Sequence, residues 1–172
     1  IFSLVLTVAM LFINMPYPFE PIQLSLISAL TIGVPAFFLA LEPNYSRVQG
    51  RFMINVIRRA MPGGLTNIIL ILIAGTFVTS FGVPSEHLNT IAVWVVATVG
   101  FVTLYRVSTP FTRLRVAVFT TMLLAMLFCL LAVPSLFRLP SLNWQTLLIL
   151  SVLMLSAPSL MRFFLGIFDT RV

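Results

Sequence analysis

Apolar side chains run through this chain in blocks of about twenty, and polar side chains collect between the blocks. A helix on the surface of a soluble protein keeps a wet face and interrupts its apolar positions every third or fourth residue. The blocks here have no such face, and roughly twenty apolar residues are what a helix needs to cross the hydrocarbon of a bilayer. The pattern predicts an all-α integral membrane fold, a six-span helical bundle with its first span truncated. The spans are about 1–15, 22–41, 65–82, 88–105, 114–133 and 144–164. The punctuation agrees with these limits. Pro16-Tyr17-Pro18-Phe19-Glu20-Pro21 holds three prolines that cannot continue a helix. Pro43 pushes Glu42 out of helical geometry and ends the second span. A short turn with Pro84 separates the third span from the fourth, and the last span is expected to bend or open near Pro158.

Composition sharpens the class. Only 8% of the 172 residues are charged, against roughly 25% in soluble domains. Nothing resembles a cleavable signal peptide, and Ile1 lies inside an apolar run, so further sequence is expected before it. The lone Cys129 sits in an apolar block and reads as a small buried hydrophobe. The net charge of +6 comes from arginine alone on the basic side, with no lysine present. Arg47, Arg51, Arg58 and Arg59 follow span two, Arg106, Arg113 and Arg115 follow span four, and Arg162 and Arg171 close the chain, while the opposite connections hold only Arg138. Positive charge is retained on the cytoplasmic side, so both ends of the piece are expected there. The charge therefore reads as topology and contact with anionic lipid, with no nucleic acid among the partners. Residues 51–61 form a candidate amphipathic helix in the headgroup region. Met53, Val56, Ile57 and Ala60 share one side and Arg51, Asn55, Arg58 and Arg59 the other, before Pro62-Gly63-Gly64 turns the chain back into lipid.

No active site can be assembled from these residues. The acids number four, all at span ends or in connections, and His87 has no second metal ligand in helical register. There is no phosphate-binding glycine loop and no nucleophile elbow. Most Ser and Thr in the spans, such as Thr76, Thr79, Thr98, Thr103, Thr120, Thr121 and Ser151, are expected to return their hydroxyls to backbone carbonyls. The second span differs. Ser28 and Thr31 lie three apart, directly before Gly33 and Pro35, and Pro35 cannot donate to the carbonyl of Thr31. A carbonyl freed at membrane depth is tolerated where it faces a cavity, water or an ion. Hydroxyls and free carbonyls are hard oxygen ligands, so Thr31 and Ser28 are candidate cation ligands, with Ser3 of the first span facing the same cavity. Asn14 and Gln23 flank the outer turn and are expected to hydrogen-bond at the interface.

The run PFEPIQLSLISALTIGVPAFFLALEPN, Pro18 to Asn44, resembles the hairpin of the fifth and sixth helices in cation-transporting P-type ATPases, above all a bacterial calcium-pump-like subgroup. Animal calcium pumps carry Gln-Leu-x-x-x-Asn-x-x-Thr-Asp-Gly-x-Pro there. Gln23, Leu24, Thr31, Gly33 and Pro35 match, while Ser28 replaces the Asn and Ile32 the Asp. The resemblance implies helices five to ten of a ten-helix transport domain in a bacterial plasma membrane. Partners would be the lipid bilayer and the preceding helices and cytoplasmic domains of the same protein, where ATP and Mg²⁺ would act; the transported cation would be Ca²⁺. It also implies that Thr31 is an ion ligand and that the helix is unwound near Gly33 and Pro35. Two other readings stay open from the residues alone: half of a gradient-driven transporter, for which no second LTIGVP-like element is visible, and a non-catalytic membrane scaffold.

Overall fold

The computed structural model describes residues 2–13, 17–42, 52–84, 86–132, 134–139 and 143–169. Those residues are helical throughout their ordered elements, with no strand among them. Helix α1 is Phe2–Ile13. Helix α2 is Pro21–Ser28, followed by a π-helical turn at Ala29–Gly33 and by α3, Val34–Ala40. Then come α4 (Phe52–Ser80), α5 (Glu86–Val107), α6 (Arg113–Ala132), a 3-10 turn (Pro134–Phe137) and α7 (Trp144–Asp169).

Five stretches are long and apolar enough to cross a membrane: Pro21–Ala40, Ala60–Ser80, Glu86–Val107, Arg113–Ala132 and Trp144–Ile167. With its 12 residues, α1 spans about 18 Å at 1.5 Å per residue, short of the roughly 30 Å hydrocarbon core. The described residues thus hold five crossing helices and one shorter apolar helix, where six spans with a truncated first were expected.

Helix α5 is apolar on every side, as a helix surrounded by protein or lipid can be, and it is the most buried of the long helices among the described residues. Leu88, Ile91, Val95 and Val99 point to α4 and α7, meeting Leu70, Ala74, Val78, Leu150, Leu153 and Ala157. Its other faces, through Ala92, Val93, Val96 and Phe101, join a second cluster with Ile27 of α2 and Met126 and Leu130 of α6, to which Leu6 and Met10 of α1 and Ile71 of α4 also belong. Small residues let the backbones approach: a methyl at Gly63 of α4 would come within 3.3 Å of the Thr103 hydroxyl on α5. Outward lie Leu124, Phe128 and Leu131 of α6 and Leu155 and Phe163 of α7, an apolar exterior suited to lipid.

Two expectations about the prolines are corrected. The turn at Pro62-Gly63-Gly64 does not form, since α4 continues from Phe52 to Ser80 with Pro62 inside it. Pro62 is buried inside this helix; its missing N–H removes the regular donor to the Arg58 carbonyl, while Thr66 Oγ1 separately donates to the carbonyl of Pro62 itself at 2.7 Å. From Phe52 on, segment 51–61 is the first part of α4, whose long apolar stretch begins at Ala60. Arg51 and the side chains of Met53, Asn55, Val56, Arg58 and Arg59 lie outside the described residues, as do Asn14, Arg47 and Arg171. Likewise α7 runs unbroken past Pro158, so the helix does not open there.

Helix α4 ends where Gly82 takes φ 62°. Val83 N–H returns to the Val78 carbonyl at 3.0 Å and Gly82 N–H to that of Thr79 at 3.4 Å, closing the helix through a left-handed residue.

The charged ends sort to two poles. Glu20, Glu86, Asn89 and Arg138 line one cleft of about 400 Å³. At the other pole Arg115 Nε donates to Glu42 Oε2 at 2.6 Å, joining the connection after α3 to the start of α6. The Arg115 guanidinium, helped by Thr112, holds the Glu42 carboxyl below the usual glutamate range.

Candidate functional site

The stretch Gln23 to Pro35 is anchored at its polar start. Gln23 is fully buried; its Oε1 accepts from Glu20 N–H at 3.0 Å and its Nε2 donates to the Phe137 carbonyl at 2.9 Å. The amide thus caps α2 and ties it to the 3-10 turn before α7, the interfacial role expected of it. Pro21 occupies the first turn, where its missing N–H costs nothing.

Farther along, the helix widens. The N–H of Val34 bonds back five residues to the Ala29 carbonyl. The α-helical donor for the Leu30 carbonyl is thereby redirected, and its π-helical donor would be Pro35, which has no N–H. The Thr31 carbonyl loses its α-helical donor at the same proline. The expectation of an unwound segment is corrected here. Gly33 keeps right-handed helical angles, φ −62° and ψ −61°, and the chain widens by one residue without uncoiling. A methyl at Gly33 would meet only the Ser28 carbonyl at 3.7 Å, so packing among the described residues does not require glycine there.

Thr31 lies inside this turn, 7% exposed, and its Oγ1 donates to the Ile27 carbonyl at 2.7 Å. It presses on Gly100 of α5: a Cβ on that glycine would come 2.8 Å from Thr31 Cγ2 and 3.2 Å from its Oγ1. Ser28 faces outward and its Oγ donates to the Ser25 carbonyl at 3.2 Å. The two hydroxyls thus do not share a face, because positions three apart no longer superpose where the turn is widened. Ile32, 66% exposed, lies on the outward side with Ser25, Ser28, Ala29 and Gly33. Ser3 is exposed on α1, and its hydroxyl pairs with that of Tyr17 at 3.1 Å. The three candidate hydroxyls therefore engage three separate partners, and Ser3 is directed to the outer turn.

Most of the hydroxyls expected to return to backbone carbonyls do so. Thr76, Thr98, Thr103 and Thr120 each donate to the carbonyl four residues back, and Ser151 to the one three back. Gly100 is the residue that sequence reasoning missed. Its signal was present: a single glycine within the bulky block of α5, where a close helix approach is the usual reason for one.

Among the described residues no three His, Cys, Asp or Glu side chains converge. The site is one of neutral oxygens: the Thr31 hydroxyl inside, the Ser28 hydroxyl outside, and carbonyls at Leu30 and Thr31 whose regular α-helical donors are redirected at Val34 or missing at Pro35.

Comparison with known proteins gives the context. The chain is similar to a probable cation-transporting ATPase of Streptococcus pneumoniae, 31% identical over 100 residues, which make up 58% of this chain and 13% of that protein. It is 43% identical over 49 residues to the calcium-transporting ATPase CtpE of Mycolicibacterium smegmatis, 28% of this chain and 6% of that one. To CtpE of Mycobacterium bovis it is 40% identical over 63 residues, 37% of this chain and 7% of that one. These homologues are cation-transporting ATPases. The chain spans 13% or less of their length. No family model and no solved structure matches it. The five long apolar helices among its described residues, together with these homologues, point to a multi-pass membrane protein.

Proposed function

We propose that this chain is the membrane-embedded C-terminal part of an ATP-driven cation pump of the P-type class, with Ca²⁺ as its cargo. The observation that carries the reading is the π turn at Ala29–Gly33, followed at once by Pro35, in the stretch that resembles the sixth helix of such pumps. A π turn costs regular hydrogen bonds and is frequent at functional sites. Here it leaves hard oxygens at membrane depth, which a dehydrated cation can use.

Ca²⁺ takes six to eight oxygens. In this reading Thr31 supplies its hydroxyl lone pairs and the Leu30 and Thr31 carbonyls supply dipoles. Ser28 lies on the outward face with Ile32, turned toward helices that precede this chain. Ile32 brings no carboxylate, so the counter-charge comes from those helices. Phosphoryl chemistry with ATP and Mg²⁺ belongs to their cytoplasmic domains. Both ends of this piece lie on the cytoplasmic side of the plasma membrane, as its arginines favour.

The test is Ca²⁺-stimulated ATPase activity of the full-length protein carrying Thr31→Ala. Loss of one oxygen to a charged partner is worth about 1.5–3 kcal/mol, so half-activation should need roughly 10–100 times more Ca²⁺. Thr76→Ala, on α4, should leave it unchanged. Identical Ca²⁺ activation in wild type and Thr31→Ala would overturn the assignment.

A further inference from the structure

We propose that the groove between α6 and α7, floored by α5, binds one anionic phospholipid from the leaflet on the arginine-rich side. The groove holds about 590 Å³, within the roughly 300–1,000 Å³ usual for small-molecule sites. Its walls are apolar, with Phe101 and Phe119 edge to face at 6.0 Å and Met126, Met154 and Met161 also in the lining. Two guanidiniums join this lining: Arg106 in the last turn of α5 and Arg162 on α7. Both are exposed, and neither forms an ion pair among the described residues, whereas Arg115 and Arg138 each do.

An apolar trough with two uncompensated cations fits an amphiphile with an anionic head. Guanidinium binds phosphate oxygens in a bidentate fork, which favours a phosphodiester over a simple counter-ion. The length also agrees. Trp94, at the far end of the lining, precedes Arg106 by twelve residues of α5, about 18 Å along the helix. One leaflet of hydrocarbon is about 15 Å, half the core. An acyl chain whose headgroup sits at Arg106 and Arg162 therefore ends beside Trp94. The inference rests on the membrane setting and not on the pump reading, so the two can fail separately.

The experiment uses the full-length protein, delipidated in neutral detergent and titrated with phosphatidylglycerol, phosphatidylcholine or inorganic phosphate. Each arginine near an anionic headgroup is worth about fivefold in affinity, so two should favour phosphatidylglycerol by up to roughly 25-fold. Arg106→Gln with Arg162→Gln should abolish that preference, the Lys pair should keep part of it, and Arg113→Gln, at the same pole but outside the groove, should keep all of it. Dibrominated phosphatidylglycerol should quench wild-type tryptophan fluorescence more than the phosphatidylcholine analogue, and the excess should vanish in Trp94→Phe. This readout also decides the matter where the double Gln variant does not fold. Equal affinity for both lipids, a preference that survives the double Gln substitution, or binding of inorganic phosphate as tight as that of phosphatidylglycerol would overturn the proposal. So would excess quenching that persists without Trp94, or a copurifying protein helix that lipid does not displace.

Discussion

Adding a single methyl to α5 tests whether Thr31 is held where the structure places it. In Gly100→Ala the new Cβ would lie 2.8 Å from Thr31 Cγ2 and 3.1 Å from its Cβ. The shorter distance is about 0.7 Å inside the ordinary carbon–carbon optimum of roughly 3.5 Å. Thr31 cannot swing aside cheaply, because its β-branched side chain is held by the bond from Oγ1 to the Ile27 carbonyl. Overpacking of this kind costs about 1–3 kcal/mol, while Gly to Ala in a helix gains up to about 1 kcal/mol. Gly64→Ala isolates that gain, since a Cβ there meets nothing within 4 Å. Measured by SDS titration of the full-length protein, Gly100→Ala should therefore fall about 1–3 kcal/mol below Gly64→Ala. Thr31→Ala removes both Cγ2 and Oγ1, so in that background the deficit should largely disappear, a coupling of roughly the same size. Two results would refute the reasoning. One is Gly100→Ala as stable as Gly64→Ala, and the other is a deficit undiminished in Thr31→Ala.

Three further outcomes are expected. Gln23→Leu should cost about 2–4 kcal/mol in the same titration, because Glu20 N–H and the Phe137 carbonyl both lose a partner in a fully buried place; a neutral effect would mean that water already serves these groups. Glu42→Gln should lower stability at neutral pH. Because the Glu42 carboxyl is held below its usual range, its contribution is present above the ordinary glutamate value and fades as pH falls through the depressed one. Unfolding of wild type and variant compared from pH 7 down to about 3 should converge at the acid end, and a constant gap would count against the pair. Gly82→Ala should cost about 1 kcal/mol, since φ 62° places a Cβ against the following carbonyl, and an unchanged midpoint would contradict that backbone.

Much of the architecture was legible because lipid imposes a simple rule: a backbone without water must be helical, and its side chains must be apolar for about twenty residues. That rule yields the long helices and the polar connections, from Ile22 through Phe164. The resemblance around Gln23 to Pro35 located the unusual helix. Proline was read too literally, however. Pro62 and Pro158 lie within continuous helices and Pro35 follows a widened turn, since a helix held by its remaining bonds and its packing can lose one donor and continue. Whether a proline breaks, bends or merely passes depends on what is packed beside it, and a single chain of letters does not contain that.

The direction in which each hydroxyl points belongs to the same category. Spacing placed Ser28 and Thr31 together, but a turn closed over five residues rotated them apart, sending Thr31 against Gly100 and leaving Ser28 and Ile32 outward. Sequence alone determined the membrane class, the long segments apolar enough to cross and where, among the described residues, a helix turns irregular, because those follow from local solvation and covalent geometry. Tertiary structure decided which oxygens look inward, why Gly100 is small and how Arg106 and Arg162 come to line one groove. Those features depend on residues distant in the chain meeting across helix faces, and the phase of those faces is set only when the helices pack.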